Sequence, residues 1–208
     1  MARYCGAVCR LCRREGEKLF LKGERCFTAK CAFERRENPP GQHGAARQSF
    51  SNYKIQLRAK QKAKRVYGVM ERKFRLYFDE AAKKKGVTGT DLLVSLERRL
   101  DNVVHRLGIG LSRPHSRQIV RHGHILVNGK PVDLPGYPLS AGDIIEVKEG
   151  MKGNVAIQGG IKLSEGRTVP EWLSLDKNNV KGVVNYLPTR DQIPATFREQ
   201  LIVELYSR

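Results

Sequence analysis

Cysteine is missing from this 208-residue chain beyond residue 31, and carboxylates are scarce, with 21 Asp+Glu against 39 Lys+Arg. No apolar run approaches the roughly 20 residues that a membrane-crossing helix needs. The N-terminal residues hold no signal-peptide core, so a cytoplasmic protein with no membrane partner is expected. The Gly-x-Gly-x-x-Gly fingerprint and the phosphate-binding P-loop are both absent, which removes the commonest signatures of nucleotide-dependent enzymes. No internal repeat is evident. Asp101, Asp143 and Asp191 are isolated carboxylates. A lone Asp more often caps a turn or pairs with a cation than acts as acid–base catalyst, and Asp143 after Gly142 suits a turn. Nothing here assembles a catalytic constellation, and a non-enzymatic protein is expected.

What abounds is positive charge. The formal net charge is +18 and the sequence pI is near 10. Such a balance points to nucleic acid or an anionic surface as partner. Residues 1–148 hold 31 Lys+Arg and 14 Asp+Glu, whereas residues 149–208 hold 8 and 7. The anionic partner is therefore expected against the first three-quarters of the chain. The near-neutral remainder would complete the fold or meet another protein.

The densest signal lies between Ser112 and Val147. Arg113, Arg117 and Arg121 are four apart and stack along one side of a helix. Ile119 and Val120 fall on another side, facing a core. Gly123 suits the left-handed C-cap that ends such a helix. Ile125-Leu126-Val127 reads as a strand, and Asn128-Gly129 is a strong hairpin signal. Ile144 to Val147 reads as another strand after a turn at 140–143. His122-Gly-His124 could bind a metal, but histidines beside arginines at a helix end more often meet phosphate, a base or a carbonyl.

All five cysteines lie near the N terminus. Cys9-x2-Cys12 and Cys26-x4-Cys31 are separated by thirteen residues. This spacing fits a closed tetrathiolate zinc site, one structural metal holding a short basic segment that has little core of its own. A disulfide pair, metal-free thiols or an iron–sulfur cluster are the alternatives. Cys5 is an extra thiol.

Glu37 to Gly44, with two prolines and two glycines, reads as an extended loop carrying His43. Ser51 is a candidate N-cap for a helix to about Tyr67 that carries Lys54, Arg58, Lys60, Lys62, Lys64 and Arg65. No acid lies between Lys54 and Glu71, and apolar positions are sparse, so this helix is expected to be wet or coated by polyanion over most of its circumference. A second helix is expected over 69–85, with Phe74, Tyr77, Phe78, Ala81 and Ala82 as its buried stripe. The triple lysine at its end suits the helix dipole or a phosphate. From Thr88 or Thr90, Leu93, Leu96, Leu100, Val103, Val104 and Leu107 predict one long helix with an apolar face, with Arg106 off the stripe. Residues 149–168 are glycine-rich and read as a loop with a short helix near 154–157. Trp172–Leu175, Val180–Leu187 and Leu201–Tyr206 read as strands joining those at Ile125 and Ile144.

Several stretches in order, MARY with RLCRREG, PPGQHG at 39–44, KQKAKRVYG at 60–68, LDNVVHRLG at 100–108, RQIVRHGHILVNGKPVD at 117–133, WLSLD at 172–176 and the ending LIVELYSR, make the chain resemble the S-four family of bacterial small-subunit ribosomal proteins over its full length. The resemblance implies an α+β fold. Residues 1–45 would form a zinc-bearing cysteine segment with an extended loop, and 46–97 with 168–208 a helical domain. Residues 98–167 would form an RNA-binding domain with a small, mostly antiparallel sheet. It implies a structural constituent of the small subunit that binds 16S rRNA at a multi-helix junction of the 5′ domain and nucleates assembly. Such a protein would support fidelity near the mRNA entry path and touch neighbouring ribosomal proteins through the near-neutral C-terminal region. Contact with mRNA, including repression through its own leader, is the alternative. By position, Arg113, Arg117, Arg121, His122 and His124 carry over as RNA-facing, joined by Arg106, Lys54, Arg58, Lys62, Arg65 and His43. Cys9, Cys12, Cys26 and Cys31 carry over as zinc ligands. Pro114-His115 departs from the polar or basic pair expected there, and His105 from an aromatic.

Overall fold

A computed structural model describes residues 3–46, 51–164 and 169–207. The helices are α1 Cys9–Glu15, α2 Ala32–Arg35, α3 Asn52–Val66, α4 Glu71–Ala82, α5 Thr88–Glu97, α6 Leu100–Arg106, α7 Arg113–Arg121, α8 Glu149–Lys152, α9 Val155–Ser164 and α10 Glu199–Tyr206. The strands are β1 Ile125–Val127, β2 Lys130–Pro131, β3 Ile144–Val147, β4 Leu173–Asp176 and β5 Lys181–Val184. The fold is α+β and divides into two compact units, Met1–Leu92 with Pro194–Arg208, and Leu93–Ile193. The sequence groups 168–208 with 46–97, whereas the second unit runs to Ile193, because β4 and β5 complete its sheet. No helix among the described residues is long and apolar enough to cross a membrane.

In the first unit, the Ser51 hydroxyl accepts the Lys54 N–H at 3.2 Å and starts α3, as expected. The expectation of a mostly wet α3 is corrected. Gln56, Lys60 and Ala63 are buried, and the Gln56 amide donates to Glu204 of α10 at 2.8 Å. The ending around Leu201–Tyr206 is thus a helix and not a strand. A short apolar run does not by itself distinguish the two, and packing against α3 decides it. Tyr206 lies 4.6 Å from the Phe78 ring of α4 and donates its hydroxyl to Glu71 at 2.9 Å.

Glu71 also accepts from Lys60 at 2.6 Å and Lys64 at 2.9 Å. Burial alone would raise its pKa, but these two ammonium groups and the Tyr206 hydroxyl hold it down at about 2. A carboxyl depressed in the folded state contributes stability above its ordinary pKa and loses it as pH falls through the folded value. Glu71→Gln is therefore expected to cost about 1 kcal/mol near neutrality, the side chain being 46% exposed and screened accordingly. The difference from wild type should vanish between about pH 4.5 and pH 2; urea titrations across that window check it.

The second unit is built on a five-stranded sheet in the order β2-β1-β3-β5-β4, every neighbour antiparallel. Asn128 and Gly129 have φ of 50° and 76°, the two left-handed residues a type I′ hairpin turn requires. Asp143 caps the turn between β2 and β3, accepting from the Ser140 N–H at 2.7 Å and the Asn128 amide at 2.9 Å. The core joins Ile125, Val127, Ile145 and Val147 to Leu100, Val103 and Val104 of α6, Leu107 just after it, Ile119 and Val120 of α7, and Trp172.

Two further expectations are corrected here. The long helix from Thr88 breaks at Arg98-Arg99. Arg99 is extended, with ψ 137°, and bridges Pro138. The Leu100 N–H donates to the Tyr137 carbonyl at 2.9 Å and the Asp101 N–H to the Pro135 carbonyl at 3.1 Å. A neighbouring loop thus satisfies the amides at the start of α6, which lack intrahelical partners. Residues 149–164 form α8 and α9 rather than a loop, and 165–168 lie outside the described residues. Gly160 lets α9 come close to the chain before α7: a Cβ there would sit 2.8 Å from the Ile109 carbonyl oxygen. Ile157 and Ile161 reach the core.

Candidate nucleic-acid interface

Helix α7 starts on Ser112, whose hydroxyl accepts the His115 N–H at 3.4 Å, with Pro114 in the first turn. Proline is preorganised for that position and its missing N–H would lack a helical partner anyway. The His115 Nδ1 accepts the Leu111 N–H at 3.2 Å, and burial lowers its pKa. The Pro114-His115 departure therefore leaves the helix intact and gives His115 a neutral, positioning role.

Two buried acids and Asn102 hold Arg113 and Arg117 of α7 with Arg99 and Arg106. Asp101 is 5% exposed and accepts from Arg99 at 3.0 and 2.7 Å and from Arg117 at 2.9 Å. Glu97, 1% exposed, accepts from Arg106 at 3.1 and 2.5 Å and from the Asn102 amide at 2.6 Å. The Asn102 carbonyl oxygen accepts from Arg113 at 3.0 Å. Three guanidiniums thus share two carboxylates, and Arg113 joins them through Asn102. A guanidinium is a rigid fork of five donors, so a carboxylate on one edge fixes the direction of the rest. Arg121 lies outside the cluster, pairing at the surface with Asp133 at 2.9 Å. His122 is exposed and His124 half-buried, their rings edge-to-face at 5.8 Å.

Sequence reading singled out Arg106, Arg113 and Arg117 but missed Glu97, Arg99 and Asn102, and took Asp101 as isolated. A signal was present: Glu97 and Asp101 stand four apart beside the Leu96 and Leu100 stripe, where an acid must pair if it is to be buried.

In the first unit the cations of α3 meet acids from other elements. Arg58 and Arg65 both reach Glu15 of α1, and Lys62 reaches Glu17 at 2.6 Å. Burial pushes the Glu15 carboxyl up despite the two guanidiniums beside it. Lys54 is half-buried in the first turn of α3. His43 is exposed in the loop after α2. That loop is tied to α1 through Arg13, which donates to the Asn38 carbonyl at 2.8 Å, and Arg14, which donates to that of Pro40 at 2.9 Å.

All five cysteines are free thiols. Cys12, Cys26 and Cys31 are buried, Cys9 half-buried and Cys5 exposed. Burial raises the Cys12 thiol, and a charge on Cys26, Cys9 or Cys31 raises it further, so the four share one electrostatic neighbourhood. The Lys22 N–H donates to the Cys26 sulfur at 3.4 Å. Among the described residues no group of three or more Cys, His, Asp or Glu side chains is gathered closely enough to grip a metal ion.

A helical unit and a sheet unit, each presenting ordered cations, define a polyanion-binding protein. Residues 3–97 match the family model described as Ribosomal protein S4/S9 N-terminal domain, and residues 98–145 match the S4 domain. Across all 208 residues of both chains it is 58% identical to small ribosomal subunit protein uS4 of Desulfosudis oleivorans. The corresponding identities are 56% for that of Acetivibrio thermocellus and 54% for that of Geobacter sulfurreducens. The chain belongs to the uS4 family of small-subunit ribosomal proteins.

Proposed function

We propose that this chain is a structural constituent of the small ribosomal subunit that binds small-subunit rRNA directly, without catalysis. The observation that carries this reading is a net charge of +18 in a chain related end to end to small-subunit proteins. A-form RNA hides its major groove, so an interface of this kind reads backbone, 2′-hydroxyls and junction shape. Arg106, Arg113, Arg117, Arg121, His122 and His124 serve in the second unit, and Lys54, Arg58, Lys62, Arg65 and His43 in the first. The near-neutral region after residue 148 suits protein neighbours, since it exposes Val155, Tyr186 and Leu187.

Binding to an rRNA junction transcript should weaken roughly 10³-fold or more between about 50 and 200 mM salt, as for about six or more neutralised phosphates. Arg121→Gln should reduce the slope of log K against log salt by about one. A nearly salt-independent affinity would overturn the reading.

We further propose that Cys9, Cys12, Cys26 and Cys31 hold one structural zinc ion. Zinc would draw together thiols that stand apart in the described structure, and their chemistry supports this: none is in a disulfide, three are buried, and a backbone N–H is aimed at Cys26. Four thiolates leave no open position, so the metal would cross-link the segment and do no chemistry. Elemental analysis of the purified chain should give about one zinc per molecule.

A further inference from the structure

The loop after α2 borders a cleft of about 350 Å³ with α1. Arg10 and Arg13, one turn apart on α1, line it together with Arg36, Asn38, Gln42 and Gly44. The loop folds back on itself. Gly41 has φ of 120°, and a Cβ on Gly44 would sit 2.1 Å from the Pro39 carbonyl oxygen, so both positions call for glycine. The Gly44 N–H donates to the Gly41 carbonyl at 3.3 Å. Arg13 and Arg14 fasten the loop to α1 through the Asn38 and Pro40 carbonyls. Arg13 uses its Nε for that bond, which leaves both Nη groups of the fork for a ligand.

No carboxylate is among the described residues that line the cleft. The cations of α3 in the same unit are answered by acids: Arg58 and Arg65 by Glu15, Lys62 by Glu17, Lys60 and Lys64 by Glu71. Three guanidiniums around one concavity repel one another and focus a field that draws in an anion. A cleft of this volume is larger than a bare phosphate and suits a group the size of a nucleotide.

We propose that this cleft seats the phosphate and ribose of one nucleotide. Arg10, Arg13 and Arg36 take the phosphate oxygens through charge-assisted hydrogen bonds, and the amides of Asn38 and Gln42 meet the ribose hydroxyls. His43 is on the same loop but does not line the cleft. The seat adds a contact to the rRNA-binding reading and rests on it for the nucleotide's belonging to an RNA chain.

Two probes of the full chain test this: adenosine 5′-monophosphate and an rRNA junction transcript. The mononucleotide should saturably shift the amide NMR signals of Gly41, Gln42 and Gly44 in wild type and leave them unmoved in Arg36→Gln. Arg36 is exposed, so its loss should not disturb the fold, and Arg10→Gln, also at an exposed position, gives a second variant. With the transcript, Arg36→Gln should lower the slope of log K against log salt by about one. Arg36→Lys keeps the charge and the slope but should bind severalfold more weakly, because an ammonium lacks the fork. Mononucleotide shifts with an unchanged transcript slope support the seat and assign it to a free nucleotide. Absence of mononucleotide shifts overturns the seat, and a lowered transcript slope without them means only general surface charge. Failure of the wild-type chain to bind the transcript, with mononucleotide shifts intact, sinks the rRNA reading and leaves the seat.

Discussion

Asp101→Ala should destabilise the second unit by about 3–5 kcal/mol, the range for stranding a buried charge. Arg99 is 2% exposed and finds both carboxylate oxygens of Asp101. Arg117, with a side chain 12% exposed, shares the same acid. Without it, a guanidinium is left in a site that excludes water. The thermal midpoint of this unit should fall by roughly 12 °C or more. Asp133→Ala is the control: it removes the partner of Arg121 at a surface where the two side chains are 55% and 59% exposed, and should change stability by less than about 1 kcal/mol. Equal midpoints for the two variants would show that the buried network is not structural. The sign of the effect on RNA binding is equally telling. If Asp101 merely repelled phosphate, removing it would tighten binding. If it aims Arg117, removing it weakens binding even at temperatures where the variant is folded. The bidentate geometry argues for weakening.

Cys31→Ser should abolish stoichiometric zinc and loosen the segment from α1 to α2. Its own core is small: Cys12, Leu19 and Leu21 are buried, with Val8, Leu11, Phe33 and Val66 packed around them. Two of the proposed ligands sit among or beside these residues, so the metal would substitute for the apolar area that so short a segment does not have. On the order of 10 kcal/mol of metal-binding free energy becomes folding free energy in such sites. The expected readout is rapid proteolysis within residues 9–35, in the variant or after chelation, while melting of the second unit is unchanged. Cys5→Ser should leave zinc content intact, because Cys5 is exposed and its thiol donates to the Arg3 carbonyl. Full metal content in Cys31→Ser would remove Cys31 from the ligand set.

Much of the fold was legible in the residues. The Ser51 and Ser112 caps, the Asn128-Gly129 turn, the Phe74–Ala81 stripe of α4 and the turn at Asp143 all depend on atoms within a few positions of one another. Ala82, at the end of that stripe, is exposed. The candidate site was legible as a set of cations but not as an arrangement. Nothing local to Arg58 and Arg65 says that both meet Glu15, more than forty residues away. Nothing local to Arg113 says that it meets Asn102. The break at Arg98-Arg99 was hidden for the same reason, since its compensating acceptors come from residues 135 and 137. Gly159 and Gly160 argued against a helix on propensity alone, whereas in the fold Gly160 is what permits close approach to Ile109.

By itself, the sequence determined a chain with an excess of positive charge, a cysteine-bearing start and a hairpin beside a basic helix. Those properties follow from composition, capping chemistry and hydrophobic period, which act over one or two turns. Only the tertiary structure decided that the Leu201–Tyr206 segment is a helix and that Glu97 and Asp101 lie beneath the arginines. Both depend on what burial leaves available: an apolar run takes the form its neighbour can cover, and a buried acid must find a cation.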